Sequence, residues 1–295
     1  MPEKNQQIGY LLLTLVVITW GANFGIVKSA LRDLSPVFFS ALRFTICGTL
    51  VLLLTLKREK GILIRREDLG RVVLVGMLGI GTYQTLWSVG LNFTSASNSA
   101  LILSSTPLWG ALYVHLIDKE SIENKQYLYM LIALSGVFLV MLKPTAQFHF
   151  SMDTLAGDLL TLMASFCGAI FLSVWSKPLL LIYSPLRLMG YCMIFGSVVL
   201  WLVVPFYRSP VSLSQVGAAS WWSLAYAVLF SGIIGHVSYY GGIKKLGVTR
   251  SMVFLYVIPL WAILFNAFFF GERIHLQQIL GGFLIILGVH GVFRR

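Results

Sequence analysis

Charge is what this sequence has least of. Only 11% of its 295 residues are Asp, Glu, Lys or Arg, where a soluble domain carries about 25%. Hydrophobic residues reach 57% and the mean hydropathy is +0.83. A core of this size cannot hide that much apolar surface, so a bilayer must be the solvent. Acids are scarcer than bases, 11 against 22, and the long apolar runs hold no carboxylate apart from Asp158. An obvious carboxylate relay for protons is therefore missing. There is no His-Glu-x-x-His, Gly-x-Ser-x-Gly or Walker-type loop, which argues against an intramembrane enzyme and an ATP-driven engine. The three cysteines, Cys47, Cys167 and Cys192, lie inside apolar runs without metal-ligand spacing. They read as small buried hydrophobes rather than disulfides or a zinc site. No cofactor and no metal is expected.

What the chain does have is length of apolar sequence. A spanning helix needs roughly 20 mostly apolar residues. Ten such runs occur, at about 8–27, 36–56, 72–91, 96–117, 127–142, 155–176, 186–206, 220–243, 250–270 and 274–293. The first is too long for a signal-peptide core, and Trp20-Gly21-Ala22-Asn23 is a poor cleavage context. The alternation of an outer-membrane strand is absent. With the N-terminus inside the cell, sixteen of the 22 Lys and Arg fall on the cytoplasmic side, five on the other, and Arg43 within a span. That bias predicts an inner-membrane protein with both termini cytoplasmic. It accounts for the net charge of +11 without nucleic acid as a partner. The densest basic run, 57–71, is interrupted by Glu59, Glu67 and Asp68.

The chain repeats itself. Thr106-Pro107-Leu108-Trp109 returns 152 residues later as Ile258-Pro259-Leu260-Trp261. The same offset pairs Gly90 with Gly242, Glu120 with Glu272, Ile122 with Ile274, Gln126 with Gln278, Gly136 with Gly288 and Val137 with Val289. Two five-helix repeats follow, over residues 1–150 and 151–295. An odd number of spans turns the second upside down relative to the first. The expected fold is an all-α membrane protein of ten transmembrane helices in two inverted five-helix repeats, an arrangement suited to alternating access.

At this point the sequence resembles the EamA type of the drug/metabolite transporter superfamily. The resemblance is carried by Trp20-Gly21-Ala22-Asn23-Phe24, Pro36 with Arg43-Phe44, Pro107 with Glu120, and Pro259 with Gly271-Glu272-Arg273, Gly282 and Gly288. It covers about residues 9–142 and 157–293. Phe166-Cys167-Gly168-Ala169 stands where a second Trp-Gly would, and Cys192 stands opposite Arg43, so the start of repeat two has diverged. The resemblance implies a ten-helix bundle around a cavity lined mainly by helices one, three, four, six, eight and nine. It implies transport of amino acids, other small metabolites or drugs, often outward.

Several residues are candidates for the work. Pro107 and Pro259 each remove a backbone donor in mid-helix and free the carbonyl four residues back, as static kinks or as hinges. Trp109 and Trp261 point away from those prolines and read as packing. The 152-residue offset also pairs Gln84 with His236 and Trp87 with Tyr239. Each polar group lies three residues from its aromatic, so the two share a helix face. Polar groups at that depth are costly against lipid, which makes them either interhelical bonds or two walls of a substrate site. Asn23, Phe24, Tyr83, Asn98, Ser105, Tyr240, Tyr256 and Asn266 form a second tier. Arg43 can snorkel, cap helix-end carbonyls or offer its fork to a carboxylate.

One arginine is too little for phosphorylated solutes. A neutral or zwitterionic solute with an apolar or aromatic part fits, and export of amino acids or related metabolites is the expected function. Alternatives are an S-adenosylmethionine or cationic-drug carrier of the same superfamily, or a non-transporting sensor or assembly factor. The expected partners are a small-molecule substrate and the lipid bilayer. The sequence leaves monomer and homo-oligomer equally open.

Overall fold

The computed structural model describes residues 3–27, 30–59, 61–94, 96–119, 122–141, 152–207, 209, 211–271 and 274–293. Glu120, Glu272 and Arg273 lie outside the described residues, as do Lys28, Lys60, Lys143, Arg208, Arg294 and Arg295. The chain forms ten spans. In order they are α1 (Glu3–Val27), α2 (Pro36–Arg58), α3 (Arg66–Gly90), α4 (Ala96–Leu103 with Thr106–Leu116) and α5 (Asn124–Met141). The second five are α6 (Leu155–Ile182), α7 (Pro185–Phe206), α8 (Ala218–Leu246), α9 (Val248–Phe269) and α10 (Leu276–Phe293). Eight are continuous and apolar enough to cross a bilayer by that measure alone. The others are α1, at 25 residues, and α4, which is broken.

The helices start where the sequence offers caps. Ser35 precedes Pro36, and its hydroxyl accepts from the Phe38 amide at 3.3 Å. Ser184 precedes Pro185 and accepts from the Arg187 amide at 3.0 Å. A hydroxyl cap satisfies a first-turn donor, and proline at the first turn has no amide to satisfy.

The inverted repeat is written in reciprocal contacts. The Gln126 side chain donates to the Val292 carbonyl at 3.4 Å, and Gln278 donates to the Val140 carbonyl at 3.5 Å. Adding 152 to Gln126 and Val140 gives Gln278 and Val292, so each bond is the image of the other. The glycines repeat the pattern. A Cβ on Gly136 would lie 2.7 Å from the Ile285 nitrogen, and one on Gly288 would lie 2.5 Å from the Ala133 nitrogen. Only glycine lets α5 and α10 approach this closely. Contacts in which i meets j and j′ meets i′ are the signature of a two-fold axis.

Two departures from regular helix also obey the offset. Residues 77–82 of α3 and 227–235 of α8 wind as wide π turns, and adding 152 to the first range gives 229–234. A third wide turn spans Gly168–Val174 of α6. Wide turns leave carbonyls without their usual ladder partner and often mark functional sites.

The prolines depart from expectation. Pro107 is not in mid-helix: α4 stops at Leu103 and restarts at Thr106. The hydroxyls of Ser104, Ser105 and Thr106 donate to the carbonyls of Leu101, Ile102 and Leu103. The carbonyl that Pro107 frees is thus bonded locally. The Ser165 hydroxyl of α6 then reaches Thr106 at 2.8 Å. In α9 no such hydroxyl run exists, and a tight 3-10 turn at Leu255–Val257 precedes Pro259.

Candidate functional site

The wide turn of α8 exposes the Ser231 carbonyl to the bundle interior. Trp20 of α1 donates its indole N–H to it at 3.0 Å. His236, one wide turn further along α8, places Nδ1 2.9 Å from the same oxygen. A carbonyl can only accept, so Nδ1 carries a proton, and Nε2 is an acceptor whenever the ring is neutral. Gly235 makes the seat: a Cβ there would lie 2.3 Å from the Trp20 indole nitrogen.

Aromatic rings close around His236. Trp20 lies 4.8 Å from it, centroid to centroid, and Phe44 of α2 lies edge-on at 5.6 Å. Tyr239 lies 5.6 Å from Trp20, and its hydroxyl meets Ser173, in the wide turn of α6, at 2.9 Å. Tyr239 is 1% exposed and Tyr240 is fully buried, so neither face is open in this arrangement. Arg43 stacks on Phe44, with its guanidinium carbon 4.4 Å from the ring centroid. It is 8% exposed and does not snorkel to a surface.

Gln84 is buried and donates to Ser40 of α2 at 3.3 Å. Ser40 and Phe44 lie one turn apart on α2, so Gln84 and His236 meet through α2. Trp87 turns elsewhere and donates to Ser99 of α4 at 3.1 Å. Tyr83 packs along α6, where a Cβ on Gly168 would touch its ring at 3.3 Å. The Asn23 side-chain oxygen is buried without a partner among the described residues. The side chains of Phe24 and Asn266 lie outside the described ones. Trp109 donates to Ser105 and packs edge-on to Phe166, while Trp261 packs on Gly21. Asn98 bonds Asp158 at 3.2 Å, and Tyr256 is buried. The sequence reading did not single out Phe44, Ser173, Ser231 or Trp20 as members of this cluster. Phe44 and Trp20 were legible only as family-like residues, and the serines left no signal.

Each face of the bundle is clasped across the repeats. At the face holding the start of α1, the Tyr183 hydroxyl accepts from the Arg65 amide at 3.0 Å and donates to Asp68 at 2.6 Å. Arg187 adds two bonds to Glu59, at 3.0 and 2.6 Å, and Lys244 reaches the Tyr183 carbonyl at 3.1 Å. At the opposite face, Asp33 accepts from the Gly217 amide at 3.0 Å and from Ser220 at 2.6 Å. Arg65 and Asp68 map onto Gly217 and Ser220 under the same offset, so corresponding segments are clasped at the two faces, though Tyr183 and Asp33 themselves do not correspond. The Ser220 and Gly217 bonds hold the Asp33 carboxyl below its usual range. Burial, with Asp68 beside it, holds the Tyr183 phenol above its usual value.

An apolar groove of about 500 Å³ runs between α4, α5 and α6, lined by Leu101, Trp109, Leu131, Phe138 and Leu162 among others. Its lining suits a lipid chain better than a polar solute, and it is separate from the His236 cluster.

The comparisons agree with this architecture. Residues 7–142 and 155–294 each match the EamA-like transporter family. The uncharacterized transporter YyaM of Bacillus subtilis is 30% identical over 97% of this chain and 93% of its own length. An uncharacterized transporter of Archaeoglobus fulgidus is 27% identical over 97% of this chain and 99% of its own. A probable terminal-alkyne amino-acid exporter of Streptantibioticus cattleyicolor is 26% identical, over 96% of this chain and 92% of its own. A crystal structure at 18% identity superposes with a TM-score of 0.84 over 99% of this chain and 96% of its own, which bears on the fold alone. With two matched copies, ten spans and a two-fold written in reciprocal bonds, the chain belongs to the EamA-like transporter family and is a multi-pass membrane transporter, not an enzyme.

Proposed function

We propose that this secondary transporter exports amino acids or closely related small metabolites across the inner membrane. Both termini face the cytoplasm, a reading supported by the bias of the basic residues. The solute binds where α1, α2, α3 and α8 converge, against Trp20, Phe44 and His236, with Gln84 and Asn23 supplying polar contacts. Tyr83, Tyr239 and Tyr240 form the outer wall, reached when the repeats rock. The breaks at Pro107 and Pro259 let α4 and α9 bend as they do so.

The observation that carries this reading is the buried cluster around Ser231. Aromatic faces with a few placed polar groups are the usual make-up of a small-molecule site. The cluster sits where α1 of one repeat meets α8 of the other, the place where inverted repeats hold substrate. The amino-acid class is supported by the 26%-identical relative named a probable terminal-alkyne amino-acid exporter. Counterflow in liposomes tests it: labelled amino acids should accumulate against the same unlabelled amino acid inside. His236→Ala with Gln84→Ala should slow this without reducing membrane levels. Normal counterflow by the double variant would reduce these residues to packing.

A further inference from the structure

We propose that Arg43 is the counter-charge for a carboxylate on the transported solute. This rests on the reading above and narrows it: the solute is an acid or zwitterion, and the guanidinium on α2 selects it.

Arg43 lies seven residues past Pro36, inside α2, and a guanidinium cannot shed its charge. Its Nε is buried and has no hydrogen-bond partner among the described residues. The Phe44 ring offers a cation–π contact, which offsets part of the cost of leaving water and saturates none of the donors. The residues beside Arg43 on its helix face are spoken for and carry no negative charge. Ser40 takes the Gln84 amide, Phe44 faces His236, and the Cys47 thiol bonds the Val228 carbonyl at 3.3 Å. Asp158, the carboxylate within the long apolar runs, is engaged by Thr94, Asn98 and Thr154. Among the described residues Arg43 thus has no ion-pair partner.

The fork of a guanidinium matches a carboxylate, with two parallel N–H donors to two oxygens. Two other groups of the cluster have the opposite polarity. In its neutral form His236 offers an acceptor at Nε2, and Asn23, one turn from Trp20 on α1, holds a buried oxygen without a partner among the described residues. A zwitterion laid between them meets donors at its carboxylate end and acceptors at its ammonium end, with Trp20 and Phe44 beside its side chain. A solute with positive charge alone meets the Arg43 charge with nothing to offset it.

The test is counterflow by purified protein in liposomes. The probes are labelled amino acids, each run beside its carboxamide and its decarboxylated amine. The acids should move, and the amides and amines should bind at least about tenfold more weakly, the loss expected for charge-assisted bonds. Arg43→Gln should lower apparent affinity for the acid by roughly tenfold to a hundredfold and erase the difference between acid and amide. Arg43→Lys should keep the preference for acids at lower affinity. Equal transport of acid and amide by the unaltered protein overturns the proposal, as does a preference for acids that survives Arg43→Gln. The first comparison needs no variant, so misfolding of Arg43→Gln leaves the test in force. Movement of amines or cationic dyes without any acid overturns this proposal and spares transport. Movement of nothing in either set overturns the amino-acid reading as well.

Discussion

Trp20 and His236 share one acceptor. The indole of the first repeat and the imidazole of the second both donate to the Ser231 carbonyl, at 3.0 and 2.9 Å. That oxygen lies within the stretch where the helix is wound wide. The shared bond fixes the ring orientation and tautomer of His236, and it ties α1 to α8 at the depth of the proposed site.

The two ends of His236 can be separated. His236→Asn retains a donor near Nδ1 and should keep the bond to Ser231 while removing the Nε2 acceptor. His236→Gln places its amide near Nε2 and gives up the Ser231 bond. Each lost bond should cost roughly 1 kcal/mol. Asn should therefore weaken solute binding about fivefold at near-normal thermal stability, and Gln should lower the melting temperature in detergent. Binding isotherms together with melting curves check both.

Gly235→Ala should unseat Trp20. The added methyl would lie 2.3 Å from the indole nitrogen, and neither helix backbone can yield cheaply. Overpacking of this kind costs typically 1–3 kcal/mol. The expected outcome is a lower melting temperature with slowed counterflow, and a shift in tryptophan fluorescence as the ring leaves its place. Trp20→Phe should remove the fluorescence shift in the double variant.

The clasps should act in opposite senses. Tyr183→Phe removes both bonds of the hydroxyl to Arg65 and Asp68, and Asp33→Asn weakens the bonds from Gly217 and Ser220. A single cysteine at Ser40, in a background without Cys47, Cys167 and Cys192, reads access to the site. Tyr183→Phe should speed its labelling from the face holding the start of α1, and Asp33→Asn from the other face. Acid should weaken the Asp33 clasp only at a pH below the ordinary carboxylate value. Because its bonds hold the Asp33 carboxyl below the ordinary value of 3.8, that clasp is intact above this value. It is lost only as pH falls through the lowered one. The phenol of Tyr183 is held above its ordinary 10.0 and keeps its proton throughout that range.

Topology has its own test. A cysteine at Arg65 should resist an impermeant reagent applied to intact cells and react in inverted vesicles. Labelling from outside would reverse the orientation assigned from the basic residues.

The repeat was legible because its markers are rare residues in an apolar chain. Pro107 with Pro259 and Gln126 with Gln278 hold one register that leucines would have blurred. The wide turns were not legible. The stretch Ala227–Gly235 reads as ordinary apolar helix, and its winding is decided by partners such as Trp20 that lie far away in sequence. The offset suggested equal roles for Trp87 and Tyr239. Instead Trp87 turns to Ser99 and Tyr239 to Ser173, because the start of the second repeat has diverged around them. The break before Pro107 was half legible: the freed carbonyl follows from proline alone, but its satisfaction by Thr106 needed the local geometry.

The seam between α5 and α10 has a kinetic meaning. Its bonds, Gln126 to Val292 and Gln278 to Val140, are images of each other. When two inverted halves trade shapes, a contact that is its own image is the same before and after. This seam therefore contributes nothing to the energy difference between the inward and outward forms, however strong it is. It can be tightened or loosened by evolution to set how robust the carrier is, without tilting the direction in which it prefers to face.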